Sequence, residues 1–242
     1  RWDQIALEVL LTPPANAWKP VRASRVARRY EVWLGPGAPL ITQPVIAGGT
    51  TITEDWNCAD SANPNCDLTW TEVLGNWSIV SNELQLLTTG VGGNKAIRAD
   101  SDLATDDHYG QVVFVTGPGI TNYGAICRFS ASATTFYVVK YRSAPWEIFR
   151  CVTGSYTQIG TGATPARADG QTLKIQADGS SIQMFVNGSS VVGPITDTNI
   201  TGNVRCGVHG NNTGAGVENF DNFEAADLAA GGATWPGWMH SR

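Results

Sequence analysis

Apolar residues recur along most of this chain in short runs or at every second position, and polar turn-formers bound each run. From residue 77 onward the runs read "WSIV", "ELQLLT", "KAIRA", "GQVVFVT", "GAICRF", "FYVVKYR", "WEIFRCV", "YTQIG", "TLKIQA", "SIQMFVNG", "SVVGPI", "VRCGVHG" and "VENFDNFEA". Gly, Asn, Asp or Pro separates them, and helical periodicity is almost absent. About a dozen strands at this spacing predict an all-β sandwich or barrel. Two turns are explicit. "ADGSS" (177–181) and "VNGSS" (186–190) flank "IQMF", which makes a strand between two tight turns, each with a Gly able to take positive φ. In "FYVVKYR", Tyr137, Val139 and Tyr141 share one face, while Phe136, Val138, Lys140 and Arg142 share the other. The expected core is Trp77, Leu84, Val113, Val115, Ile126, Val139, Ile148, Leu173, Ile175, Phe185 and Phe220, because each sits in an apolar strand run.

The ends of the chain are patterned differently. "LEVLLTPP" (7–14) recurs as "YEVWLGPG" (30–37), each copy a short apolar strand running into a Pro-containing turn. Two copies are too few for a solenoid, so they read as strands of a small sheet or arm. Residues 1–52 hold six basic and three acidic groups, a charge of +3, whereas the remainder holds ten basic and eighteen acidic, a charge of −8. The C-terminal "AAGGATWPGWMHSR" (229–242) follows a Gly-rich link. Together the two end segments contain Trp2, Trp18, Trp33, Trp235 and Trp238, five of the nine tryptophans. Both segments are too short for a core of their own. Exposed strand edges and tryptophans call for a partner surface, so these five residues are the expected interface anchors, with a homo-oligomer as the expected assembly.

Charged residues make up 15% of the 242, beside 27 Gly and many Thr, Asn and Ser, a balance closer to extracellular or virion β proteins than to cytosolic enzymes. No apolar run approaches 18 residues, so no transmembrane helix is expected. The basic segment "VRASRVARRY" (21–30) lacks an aromatic stacking platform and reads as a solvated or subunit-facing arm, not a nucleic-acid site.

The run "DWNCADSANPNCDLTWTEVLGNWSIVSNELQ" (55–85) resembles the opening of laminin-G-like, concanavalin A-like lectin domains of bacteriophage and bacterial surface proteins. The resemblance rests on Asp55-Trp56-Asn57, Ala59-Asp60, Trp70, Gly75, Trp77, Asn82 and Leu84, and the later strand runs follow in the family's order. It covers about 53–228 and implies a two-sheet antiparallel jelly-roll sandwich. The implied organisation is an N-terminal β arm (1–52), the sandwich (53–228) and a Trp-containing tail (229–242). These are fold-building motifs and say little about the ligand. "VRASRVARRYEVWLG" is similar to strands of phage virion proteins. Cys58 stands where the family often has a basic residue, and Cys66 lies in the next turn, a departure that suggests a local disulfide, with free thiols as the alternative. Closing nine residues would stabilise by roughly 2.5 kcal/mol. Two Cys without His nearby are a poor zinc site. Cys127, Cys151 and Cys206 sit in apolar runs and read as buried thiols.

Concanavalin-like sandwiches also host glycosidases, which need two carboxylates on one strand face. No Glu-x-Asp-x-x-Glu run occurs, and Asp102, Asp106, Asp107 and His108 in "SDLATDDHY" read as a surface loop. A non-enzyme is expected. Asp55 near the first strand and Asp221 and Asn222 in the last are calcium candidates, since paired terminal strands would bring their oxygens together; the alternative is that they hydrogen-bond the strand ends. No other cofactor is expected. The expected role is a virion accessory protein, capsid- or tail-associated, assembled in the host cytoplasm, partnered by virion subunits and displaying the sandwich to host-surface polysaccharide. The alternative is a carbohydrate-binding module of a secreted or surface bacterial protein.

Overall fold

The computed structural model describes residues 49–87, 93–116, 123–141, 145–211 and 217–228. Fifteen strands fall within them: β1 (Thr51–Glu54), β2 (Trp70–Leu74), β3 (Trp77–Val80), β4 (Glu83–Leu86), β5 (Lys95–Ala99), β6 (His108–Thr116), β7 (Gly124–Phe129) and β8 (Phe136–Tyr141), followed by β9 (Trp146–Val152), β10 (Ser155–Gly162), β11 (Gln171–Asp178), β12 (Ser181–Val186), β13 (Ser189–Thr196), β14 (Arg205–Gly210) and β15 (Glu218–Asp227). They form two antiparallel sheets. One runs β13-β12-β11-β6-β15-β4-β3, with β1 also on β15, and the other runs β10-β9-β8-β7-β14-β5-β2. The fold is the two-sheet jelly-roll sandwich that the family resemblance implied, and it settles the choice of sandwich or barrel that the strand pattern left open. The strand β1 begins at Thr51, two residues ahead of the boundary drawn at 53.

The long β15 organises the eight-stranded sheet. Its first residues pair with β4 (Phe220 opposite Leu84) and its last with β1 (Thr51 opposite Ala226). Asp227 at its end fastens three segments. Its Oδ2 accepts the backbone N–H of Thr50 (2.7 Å) and Ala104 (3.0 Å), and its Oδ1 accepts that of Thr105 (2.8 Å). Burial alone would raise the Asp227 pKa, but these donors outweigh it and hold the carboxyl below its usual range.

Aromatic side chains fill the space between the sheets. The rings of Phe114 and Tyr123 stack at 3.8 Å, Phe223 meets Trp70 edge-on at 4.9 Å, and Trp56 lies 5.4 Å from Trp70. Among the expected core residues, Trp77, Leu84, Val139, Ile148, Leu173, Ile175 and Phe220 are fully buried there. Val113, Val115 and Phe185 are not. They lie half-exposed on the outer side of the eight-stranded sheet, while Val112, Phe114, Ile182, Met184 and Val186 take the core positions. "QVVFVT" is apolar in both phases of the two-residue repeat, so its pattern cannot choose the inward face.

The seven-stranded sheet is apolar on both faces. Ile126 is buried on its outer side, in a second cluster with Ala96, Phe129, Phe136, Val138 and Cys151. Unbroken runs such as "GAICRF" and "FYVVKY" match strands buried on both sides. The tight turns are as expected: Gly179 (φ 54°) joins β11 to β12, and Asn187-Gly188 (φ 49° and 77°) joins β12 to β13. No helix among the described residues is long and apolar enough to cross a membrane.

Candidate functional site

Three places among the described residues bear on the chemistry expected from the sequence, and the opening turn is the first. Cys58 and Cys66 are joined by a disulfide, with Cα atoms 6.2 Å apart. The loop is also tied by hydrogen bonds. Asn65 Oδ1 accepts the Trp70 N–H (2.7 Å), and Asp60 Oδ1 accepts the Ser81 N–H (2.7 Å). Buried Glu54 reaches in from β1, its Oε1 accepting the Trp56 N–H (3.2 Å) and its Oε2 the Leu68 N–H (2.8 Å) and Trp70 Nε1–H (3.4 Å). Carboxylate oxygens of Glu54, Asp55 and Asp67 lie within 4.8 Å of one another, with Asp55 and Asp67 exposed.

This is not the trio expected from the sequence. Pairing of β1 with β15 sets Glu54 opposite Phe223, and Asp55 follows it toward Asp221. Burial raises the Asp221 pKa, the Asn222 N–H opposes, and the charges of Glu83 and Asp55 push it further up. Asn222, at φ 49°, spends its backbone N–H (2.7 Å) and its side-chain Nδ2 (2.8 Å) on Asp221 itself. Asp55 therefore groups with Glu54 and Asp67, while Asp221 and Asn222 bind each other. Calcium wants six to eight oxygens. Glu54 already serves three N–H donors, which leaves Asp67, and Asp55 through the oxygen that does not accept the Asn57 N–H (3.0 Å), as the more open ligands. The missed signal was adjacency: Glu54 precedes Asp55, and Asp67 follows a half-cystine.

The second place is the acidic loop before β6, which is built into the scaffold. Asp102 takes the Arg205 guanidinium (2.6 Å), and Asp106 accepts the Gly202 N–H (2.6 Å). Asp107 Oδ1 accepts the Gly179 N–H (2.7 Å) and an Arg128 N–H (3.1 Å). His108 is fully buried; its Nδ1 meets the Thr105 carbonyl at 2.9 Å and its Nε2 accepts the Arg128 backbone N–H at 3.0 Å.

The third place is the outer side of the seven-stranded sheet. Lys140, 3% exposed, donates to Asn94 Oδ1 (2.7 Å) and stands 3.9 Å from the Tyr156 ring centre and 4.8 Å from that of Phe149. Directly across the register from Lys140 is Glu147, 6% exposed. On the described strands of this sheet it is the one carboxylate that alternation places on the outer side. Burial pushes the Tyr156 phenol well above its usual range. Cys127, Cys151 and Cys206 are free and buried, and burial raises each thiol pKa. Trp2, Trp18, Trp33, Trp235 and Trp238 lie outside the described residues, as does the basic segment 21–30.

Solved structures share this architecture. A Bacillus subtilis protein of unknown function with a galectin-like fold is similar with a TM-score of 0.51 at 12% identity, over 73% of this chain and 99% of that one. The exoplasmic/lumenal domain of VIP36, in its Ca2+/Man3GlcNAc-bound form, gives 0.51 at 11% identity, over 70% and 88%. A prokaryotic β-1,3-1,4-glucanase (lichenase) derived from a mouse hindgut metagenome gives 0.51 at 10% identity, over 74% and 99%. No protein-family model matches the chain, and no curated protein matches it. At such identities the likeness shows the fold. Among the three are a glycan-bound domain and a glucanase, and none is described as part of a phage particle.

Proposed function

We propose that this chain is a carbohydrate-binding module without hydrolytic activity, carried by a surface or secreted protein. That is the alternative the sequence left open, preferred here to a virion accessory role. The fold shared with a glycan-bound domain supports the binding half of the reading. The observation that carries the other half is Glu147. A glycosidase of either stereochemistry needs two carboxyl groups about 5–9.5 Å apart on an open face. On the seven-stranded sheet a single buried Glu147 stands opposite Lys140, beside Phe149 and Cys151 on the same strand face. On the eight-stranded sheet Glu224 is tied to Tyr109, Asp221 to Asn222 and Glu83 to Asn219. The Cys58–Cys66 disulfide supports an oxidising, extracellular location.

The test is a glycan array on the full chain, paired with a reducing-sugar release assay on every polysaccharide that binds. Binding without release is the expected result. Release that disappears in Glu147→Gln, Asp221→Asn or Glu224→Gln would overturn the non-catalytic reading, and an array without any binder would overturn the whole.

Calcium is the cation class the opening turn would take, through Asp55 and Asp67. A site with Kd near 1 mM stabilises by about 1.4 kcal/mol at 10 mM calcium. Calcium is therefore expected to raise Tm modestly, and the double variant Asp55→Asn, Asp67→Asn to remove that rise. A rise that persists in the double variant would place the ion elsewhere.

A further inference from the structure

The outer side of the eight-stranded sheet is unlike that of its partner. Strand register arranges its side chains in two rows across three strands. One row is Gln111 on β6, Lys174 on β11 and Phe185 on β12; the other is Tyr109, Gln176 and Gln183 on the same strands. All six are half-exposed. The Lys174 ammonium sits between two rings, 3.9 Å from the Tyr109 centre and 5.2 Å from that of Phe185. The Tyr109 hydroxyl donates to Glu224, which the register sets beside Gln111 on β15. Gln183 donates to Ser190 Oγ (2.7 Å). Hydrogen bonds thus hold Tyr109 and Gln183, while the amides of Gln111 and Gln176 take none within the described residues and stay open to a ligand.

Resting on the carbohydrate-binding reading, we propose that this two-row platform is the glycan site, and that it takes an uncharged polysaccharide chain laid across β6, β11 and β12. Four observations fix the ligand class. The partly exposed rings of Tyr109 and Phe185, each with one face toward Lys174, offer their remaining apolar surface to the C–H side of a sugar ring. The open amides each carry donors and acceptor together, the pairing that a hydroxyl, itself donor and acceptor, demands. Strands lie about 4.8 Å apart, close to the length of one pyranose unit, so successive sugars meet successive side chains. Charge then selects against acidic glycans and nucleic acids. The one cation of the two rows is already covered by two rings and faces Glu224, while Glu83 and Asp221 add negative charge on the neighbouring strands.

Affinity electrophoresis of the full chain tests this, in gels carrying a soluble β-glucan, a galactomannan, a xyloglucan or the acidic polygalacturonate. At least one neutral polymer is expected to retard the wild type, and polygalacturonate to leave it unretarded. Tyr109→Ala and Phe185→Ala should each weaken retardation at least tenfold, whereas Tyr109→Phe, which keeps the ring, should stay within about twofold. The double variant Gln111→Ala, Gln176→Ala removes only open amides and should weaken it several-fold with the unfolding midpoint unchanged. A retarded wild type with undiminished ring and amide variants puts the glycan site elsewhere, and retardation by polygalacturonate alone overturns the ligand class. If no polymer in the gels or on the array binds the wild type, the carbohydrate-binding reading fails together with this site.

Discussion

Replacing Arg128 by methionine is expected to lower the unfolding free energy by about 4 kcal/mol, for the loss of several charge-assisted hydrogen bonds made by one buried side chain. The guanidinium is 1% exposed and meets four oxygens: the carbonyls of Asp106 (2.7 Å), Ile200 (2.9 Å) and Gly179 (2.7 Å), and Asp107 Oδ1 (3.1 Å). These come from three separate segments: the loop before β6, the turn after β11 and the loop before β14. One side chain thus ties the seven-stranded sheet to loops of the other. Methionine fills much of the volume but removes the side-chain donor from three carbonyls, the Ile200 oxygen among them buried, and leaves Asp107 Oδ1 only the Gly179 N–H. Lysine should recover little, because a single ammonium cannot span the fork that four oxygens require. Urea denaturation measures the loss through the midpoint at constant m-value, and a change under 1 kcal/mol would refute the account.

The second large effect is a loss of stability on mild acidification, centred on His108. Burial holds its pKa below 6.5, the Arg128 charge adds to the depression, and the Thr105 carbonyl with Asp227 and Asp106 opposes it. The unfolded chain takes up this proton at about pH 6.5 and the native chain only at lower pH. His108 therefore contributes its full stability above pH 6.5. The contribution drains as pH falls toward the native value, at up to about 1.4 kcal/mol per pH unit. Asp227 and Asp197 have depressed pKa values as well, so their contributions are present above about pH 4 and lost below it, outside the His108 window. Asp221 is raised and acts with the opposite sign near its own, carboxylate range. Chemical unfolding between pH 7.5 and 5 should show the slope, and His108→Asn should flatten it at the expense of overall stability. Equal wild-type stability at both ends of that range would sink the assignment.

Much of the fold was legible along the chain. Period-two runs and Gly-bearing turns have local causes: side chains alternate across a pleat, and Asn187-Gly188 can take positive φ wherever it stands. The proximity of Asp55 to Asp221 followed from a long-range premise instead, that the terminal strands pair. Where both phases of a run are apolar, as in β6, alternation has no preferred face and the reading of Val113 and Val115 failed. Phe185 was misread for a related reason. Its burial was inferred from hydrophobicity, but Ile182, Met184 and Val186 hold the inward phase of β12.

The sequence by itself determined about a dozen of the fifteen strands, their turn chemistry and the all-β class, because these depend on neighbours within a few residues. Only the tertiary structure decided which side chains act together. Arg128 reads in "GAICRF" as a lone charge in a buried strand. Its φ of 47° and the register break between β7 and β14 turn it toward oxygens 21 to 72 residues away. Glu54 and Asp67 are thirteen positions apart and meet because a disulfide and three N–H bonds fold the turn over β1. The Tyr109, Lys174 and Phe185 row exists because β6 pairs with β11 and β11 with β12 in one register. A slip of one residue would send every member of that row to the core, and local alternation carries no information about which register the packed sheets select.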